Sequence, residues 1–440
     1  MAANSAPLSY DDFKPQTLAD WQARVQRELP PGQTPDALRW RPVAEPADVA
    51  PIYTAEALAA LPYRHTQPDT YPYIRGHKGA SNRWLTLEPL TADGDGRAAL
   101  AAGRAALAAG AEGLILTLTD PKQLDFAALA AELDLTKTYV GFHLPAHTDI
   151  SRFGQQLTTA LSGRQHPAFG RRGHVTLAAA DPLMLPPAGV LDALVDLGRP
   201  APDFYTLTID GATLADAGAG PTLALALVLS QLVEVVSEQS GRGFAPETVV
   251  AELRATLGLN TSYFHAIAQQ RALRLLWANA LPAFEVAPYH AGLLKIHCRP
   301  TSRVVFGADP DTNLLRLTTT AMAAVLGGCD SLEITPFDAA TPTGATPFGR
   351  RQARNIALLL RHESLLADAV DPAAGSYYLE TLTDQLARGA WAIFQQLENE
   401  GGYRKAYQSV ARLVAEQRQA QDEAQASGKQ VRVGVNKYTL

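Results

Sequence analysis

Cysteine and concentrated charge are both scarce in this chain. Only Cys298 and Cys329 occur in 440 residues, too few to staple a secreted domain, so a pair of reduced, buried thiols is expected. Charged residues make up 19% of the sequence and hydrophobic ones 47%. A charged share below the roughly 25% usual in soluble proteins disfavours general disorder and predicts a large core. A net charge of −6 with no Lys/Arg block leaves no footprint for a nucleic-acid backbone or anionic lipid. There is no run of about 20 uninterrupted apolar residues of the kind a spanning helix needs. The oiliest stretch, Leu223 to Val236, carries Ser230, Gln231 and Glu234 and reads as a buried helix. The opening MAANSAPLSYDDF lacks a basic flank and an apolar core for export, and the expected compartment is the cytoplasm.

By length the chain could hold three domains, or one α/β barrel of about 250 residues with additions. Residues 1–80 are rich in Pro, Asp, Gln and Tyr. Beyond one helical stretch, Leu18 to Leu29, their prolines forbid regular helix. Trp21, Trp40, Tyr53 and Tyr63 are costly to leave in water, so this segment reads as an extended arm lying on its own body or on a partner. Between 81 and 370 short apolar runs alternate with helical stretches. Eight candidate strands emerge: Trp84 to Pro89, Gly113 to Leu118, Tyr139 to Leu144, His174 to Ala179, Tyr205 to Ile209, Leu253 to Leu259, Leu293 to Cys298 and Ser331 to Thr335. Several are apolar on both faces, as parallel strands covered by helices are. Eight strand-then-helix units predict a (β/α)8 TIM barrel, with a doubly wound open sheet as the alternative. Residues 371–440 add two helices, the first closed by Gly401 and Gly402.

In a barrel, reactive groups come from the C-terminal ends of the strands and the loops after them. Those ends carry Asp120, His143, His147, Asp181, Asp210, Asn260, His297, Arg299, Glu333 and Asp338. Polar ends occur in inert barrels too. His143 and His147 are four apart, but Pro145 between them argues against a helical metal pair, and no metal site is expected. His297 and Cys298 are adjacent on one strand, so they face opposite sides and cannot form a nucleophile pair.

Several segments occur in an order and at separations that carry a family resemblance. They are ALRLLW (272–277), KIHC (295–298), DPDTNLLRLTTTAMAAVLGGCDSLEITPFD (309–338), RRQARNIALLL (350–360), DPAAGSYYLETLTDQLARGAW (371–391) and SGKQVRVGVNKY (427–438). Together they resemble the acyl-CoA mutase family typified by methylmalonyl-CoA mutase, from about Tyr10 to the last residues. The resemblance implies a (β/α)8 barrel that holds an acyl-CoA and a separate C-terminal domain that holds adenosylcobalamin. Its chemistry is a radical rearrangement in a site closed to water. It further implies that Arg271 contacts CoA and that His297 is the seventh-strand histidine, both being substrate-binding candidates; packing is the competing role for each.

The departures from the family pattern all fall on chemistry. Where catalytic relatives carry G-Y-H on the fifth strand, this chain has Ala212 and Thr213 in the Tyr-His positions, and neither can supply the acidic donor a migrating carbonyl needs. The R-Q-Y-A-G motif after the first strand is replaced by WLTLEPLTADG (84–94), T-I-Q on the fourth by LAAAD (177–181), and the glutamine after H-C by Arg299. Histidines stand at 65, 77, 143, 147, 166, 174, 265, 290, 297 and 362, none with Asp two residues before it, so no D-x-H-x-x-G cobalt-ligand motif is present. The expected protein is the small, non-catalytic subunit of a heteromeric methylmalonyl-CoA mutase. No catalytic residue is expected here; adenosylcobalamin and turnover belong to a large partner subunit. Two alternatives stay open: a barrel enzyme with other chemistry, using His143, His297, Arg299, Glu333 or Asp338, and a CoA-ester binding or regulatory module.

Overall fold

The computed structural model describes residues 13–439 apart from 15, 136, 163–171, 200 and 202. Tyr10 and His166 lie outside the described residues. Nine parallel strands form one sheet: β1 (Leu85–Ala92), β2 (Gly113–Leu118), β3 (Tyr139–Leu144), β4 (Gly173–Leu177), β5 (Phe204–Tyr205), β6 (Leu207–Asp210), β7 (Leu253–Leu259), β8 (Lys295–Pro300) and β9 (Ser331–Glu333). Their order is β5-β4-β3-β2-β1-β9-β8-β7-β6. The two end strands are consecutive pieces of chain separated by Thr206, so the sheet curls into a nearly closed α/β barrel with its seam at the fifth strand. The eight expected strands are present. The ninth arises because the fifth is broken, its lower piece pairing with β4 and its upper piece with β7.

Helices follow the strands and cover the barrel, and their starts are set by side-chain caps. Asp125, Asp210, Asp309, Thr346 and Ser376 each accept from a backbone N–H in the first turn of the helix they precede, satisfying donors a helix leaves unpaired. The Pro221–Gly241 helix is long and apolar enough to cross a membrane by composition, but most of it is buried within the molecule. It packs against the Tyr377–Asn399 helix, which ends at Gly401 and Gly402, both at positive φ (101° and 93°). Outward side chains of the strands, among them Leu116, Phe142, Val175, Leu257, Ile296 and Cys298, belong to one continuous core with the helices. Cys298 and Cys329 are free, buried thiols.

The arm divides in two. From Glu45 onward it belongs to the barrel body: the buried Glu45 carboxylate accepts from the Thr222 hydroxyl and backbone N–H, Val49, Leu61, Tyr63 and Ile74 are buried in the core, and the Tyr63 hydroxyl donates to Asp384 at 3.1 Å. Before that, the Leu18–Glu28 helix, started by a Thr17/Asp20 capping box, buries none of its residues, and Trp40 remains 49% exposed.

Candidate functional site

Inside the barrel the two-residue period of the strands separates core from site. On β7, Leu253, Ala255 and Leu257 join the outer core, which leaves Arg254, Thr256 and Gly258 for the interior. Near its lower end Leu85, Leu87, Ile115 and Tyr139 make a small separate apolar cluster. Above them the interior is polar, contrary to the expectation of apolar strands on both faces. His174 Nδ1 lies 3.1 Å from the Tyr139 hydroxyl, and its Nε2 lies 3.4 Å from His143 Nε2. Gly141 makes room for that ring, since a Cβ there would sit 2.0 Å from His174 Cε1. Across the barrel His297 Nδ1 meets the Ser331 hydroxyl at 2.9 Å, while Nε2 is 3.7 Å from Glu333. Arg254 is fully buried among these groups, with its Nη1 donating a long 3.4 Å bond to Thr256 and its Nε and Nη2 without a hydrogen-bond partner among the described residues. The axis is therefore filled rather than left as an open channel.

This burial holds the imidazoles neutral. Desolvation, set against the attraction of Glu333 and Asp210, leaves His143 at about 4. His174 and His297 are pushed well below the ordinary histidine range by burial and by the Arg254 charge. Burial raises Asp210, but Arg299, the Thr213 hydroxyl and His143 outweigh it and hold the carboxylate below its ordinary range.

Of the strand-end residues, the fold brings His143, Asp210, His297, Arg299 and Glu333 within mutual electrostatic reach. The others have local work. Asn260 accepts from Ser262 N–H at 2.8 Å, Asp120 from Lys122 N–H at 3.1 Å and from Gln123, and Asp181 from Leu183 N–H and the Tyr407 hydroxyl. Asp338 accepts from the backbone N–H and hydroxyl of Thr346. His147 is exposed in the loop after β3, and no group of three His, Cys, Asp or Glu able to hold a metal occurs among the described residues.

Arg271 sits away from the axis, buried on the Tyr263–Ala280 helix. Its guanidinium pairs with Asp371 and, at 2.8 Å, with Glu380; Arg75 from the arm pairs with the same two carboxylates at 3.2 and 2.9 Å. His297 is also buried, facing the interior. At the fifth-strand position Ala212 is fully buried, and the Thr213 hydroxyl donates to Asp210 at 2.6 Å as part of the helix cap. Arg299, in place of glutamine, pairs with Asp216 at 2.7 Å. Sequence reasoning missed Arg254, His174, Tyr139 and Thr176; the alternation of polar and apolar residues along β7 was the available signal.

The fold and site together define an α/β barrel whose interior is closed by neutral imidazoles and an arginine. A family model described as Methylmalonyl-CoA mutase matches residues 177–440, more than half of the chain. The chain belongs to the methylmalonyl-CoA mutase family. It is 27% identical to the methylmalonyl-CoA mutase small subunit of Porphyromonas gingivalis, covering 98% of this chain and 71% of that protein. With the probable methylmalonyl-CoA mutase small subunit of Mycobacterium bovis the identity is 29%, over 92% of this chain and 67% of the relative. With the methylmalonyl-CoA mutase of Rhizobium meliloti it is 28%, over 96% of this chain but only 64% of the relative. Among solved structures, a dihydropteroate synthase from Thermus thermophilus aligns over 63% of the chain at 14% identity and a TM-score of 0.36, a likeness that says nothing of function.

Proposed function

We propose that this chain is the small, non-catalytic subunit of a heteromeric methylmalonyl-CoA mutase, acting in the cytoplasm beside a large subunit that converts methylmalonyl-CoA to succinyl-CoA. The observation that carries the reading is the state of the family's donor position. Ala212 offers no polar atom, and Thr213 is engaged as a cap on Asp210, so no side chain there is free to steer a migrating carbonyl. The filled axis supports the same reading, because an acyl-CoA threaded through the barrel would collide with Tyr139, His174 and Arg254. Adenosylcobalamin belongs in this reading to the partner. The interior histidines do not fit a cobalt ligand, since His143 and His174 face each other and His297 is held by Ser331.

The outer arm supports the partnership. Its amphipathic Leu18–Glu28 helix has no fully buried residue, leaving Leu18, Trp21 and Val25 only partly covered within this chain, and Trp40 is half exposed. Coexpression with a cobalamin-binding large subunit is expected to give a stable complex, and removal of residues 1–40 to weaken it while leaving the unfolding midpoint of the isolated chain near its full-length value. Residues from Glu45 onward should be kept, because they build the barrel body. Isolated chain supplied with adenosylcobalamin and methylmalonyl-CoA is expected to form no succinyl-CoA; product in that assay would overturn the proposal.

A further inference from the structure

We infer that the gap in the barrel wall between β4 and β6 is a binding site for a small uncharged molecule with an aliphatic tail and a hydrogen-bonding carbonyl head, such as a short-chain carboxamide. The ladder between the fourth and fifth strands stops after Gly173↔Phe204 and His174↔Tyr205. Above that point β6 pairs with β7 and not with β4, and the Thr208 hydroxyl spans the gap by donating to the Val175 carbonyl at 2.8 Å. A cavity of about 420 Å³ opens there, within the size range of small-molecule sites.

Its outer walls are aliphatic, with Leu144, Leu185, Leu191, Leu194 and Val235 among them, and its polar end is built from His143, Thr176, Asp210 and Thr213. Thr176 is 6% exposed, and its hydroxyl has no hydrogen-bond partner among the described residues. A buried hydroxyl left in that state is unfavourable, and a carbonyl oxygen from a ligand would satisfy it. The charges at this end select against ions. A carboxylate would face ionised Asp210 and meet no cation on the cavity wall, because no Lys or Arg lines it and His143 is neutral. An ammonium would have to be stripped of water between leucines to reach Asp210, which already accepts from the Thr213 hydroxyl and from the backbone N–H groups of Ala212 and Thr213.

Calorimetric titration of the full chain with hexanamide, hexanoate and hexylamine tests this. Saturable binding of hexanamide is expected, with the two ions at least about tenfold weaker, as the cost of burying an unpaired charge requires. Thr176→Val keeps the shape of the side chain and should weaken hexanamide by about 5- to 10-fold, the loss of one hydrogen bond. Leu194→Trp should fill the cavity and remove binding. Absence of saturable hexanamide binding, equal affinity for hexanoate, or unchanged hexanamide affinity in folded Thr176→Val overturns the assignment. None of these outcomes depends on a large subunit, so they stand apart from the test of heteromeric assembly.

Discussion

Arg271 and Arg254 are both buried, yet they keep opposite company. At the seam between arm, barrel and C-terminal helices, Arg271 and Arg75 face Asp371 and Glu380, so two cations meet two carboxylates inside the protein. On the axis, Arg254 has no carboxylate within ion-pair distance among the described residues, and its neighbours His143, His174 and His297 are neutral. A balanced buried network resists the loss of any member, because each removal strands a charge; an unbalanced charge is a burden its own removal relieves. The seam therefore reads as architecture joining segments far apart in sequence, and the axis as an interior where hydrogen-bonded neutral rings surround one charge without a counter-ion.

Breaking the seam should have the largest effect. Asp371→Ala leaves Arg75 and Arg271 with one carboxylate between them and is expected to cost about 3–5 kcal/mol in urea unfolding. A loss below about 1 kcal/mol would place the seam with exposed ion pairs and erase the contrast.

Acid should act next, on the buried histidines. His143 titrates at about 4 in the folded chain against an ordinary 6.5, so the unfolded chain binds the extra proton between those values. Its contribution is fully present above pH 6.5 and is lost as pH falls toward 4, by about 3 kcal/mol. His265, lowered to about 4 by burial, acts in the same direction. Glu45, raised by burial to about 7 despite the Thr222 hydrogen bonds, works the other way between 4.5 and 7. The decline from pH 7 to 4, measured by denaturant unfolding, should therefore steepen in Glu45→Gln. A flat profile in both proteins would mean that the interior imidazoles titrate alike in the folded and unfolded chain.

Arg254→Met sharpens the comparison from the other side. Removing an unpaired charge from the axis should leave stability unchanged or raise it by about 1–4 kcal/mol, and the His143 titration followed by NMR should move upward as the repelling charge disappears. A loss above about 2 kcal/mol would show that Arg254 is paired after all. The smallest effect belongs to the arm: Tyr63→Phe removes one hydrogen bond to Asp384 and should cost about 1 kcal/mol by thermal unfolding.

Much of the architecture was legible along the chain. Eight short apolar runs separated by helical stretches predicted the barrel, and the double glycine at 401–402 marked a helix end. Ala212 and Thr213, standing where the resemblance implies a Tyr-His pair, were also visible. What escaped notice was the company each side chain keeps. Asp210 reads as a reactive strand-end carboxylate until its bonds to Thr213 and two backbone N–H groups show it capping the next helix. Arg271, a CoA contact by resemblance, meets Asp371 100 positions away.

The sequence by itself determined the strand and helix periods, the burial of the Pro221–Gly241 helix and the residue types available for chemistry, because those depend on local spacing and composition. Only the tertiary structure decided that the fifth strand breaks at Thr206, that the interior is filled by Tyr139, His174 and Arg254, and that two arginines balance two acids at the seam. The reason is that closing a barrel brings together side chains from distant strands, where distance and dielectric, rather than sequence neighbours, set charge and accessibility.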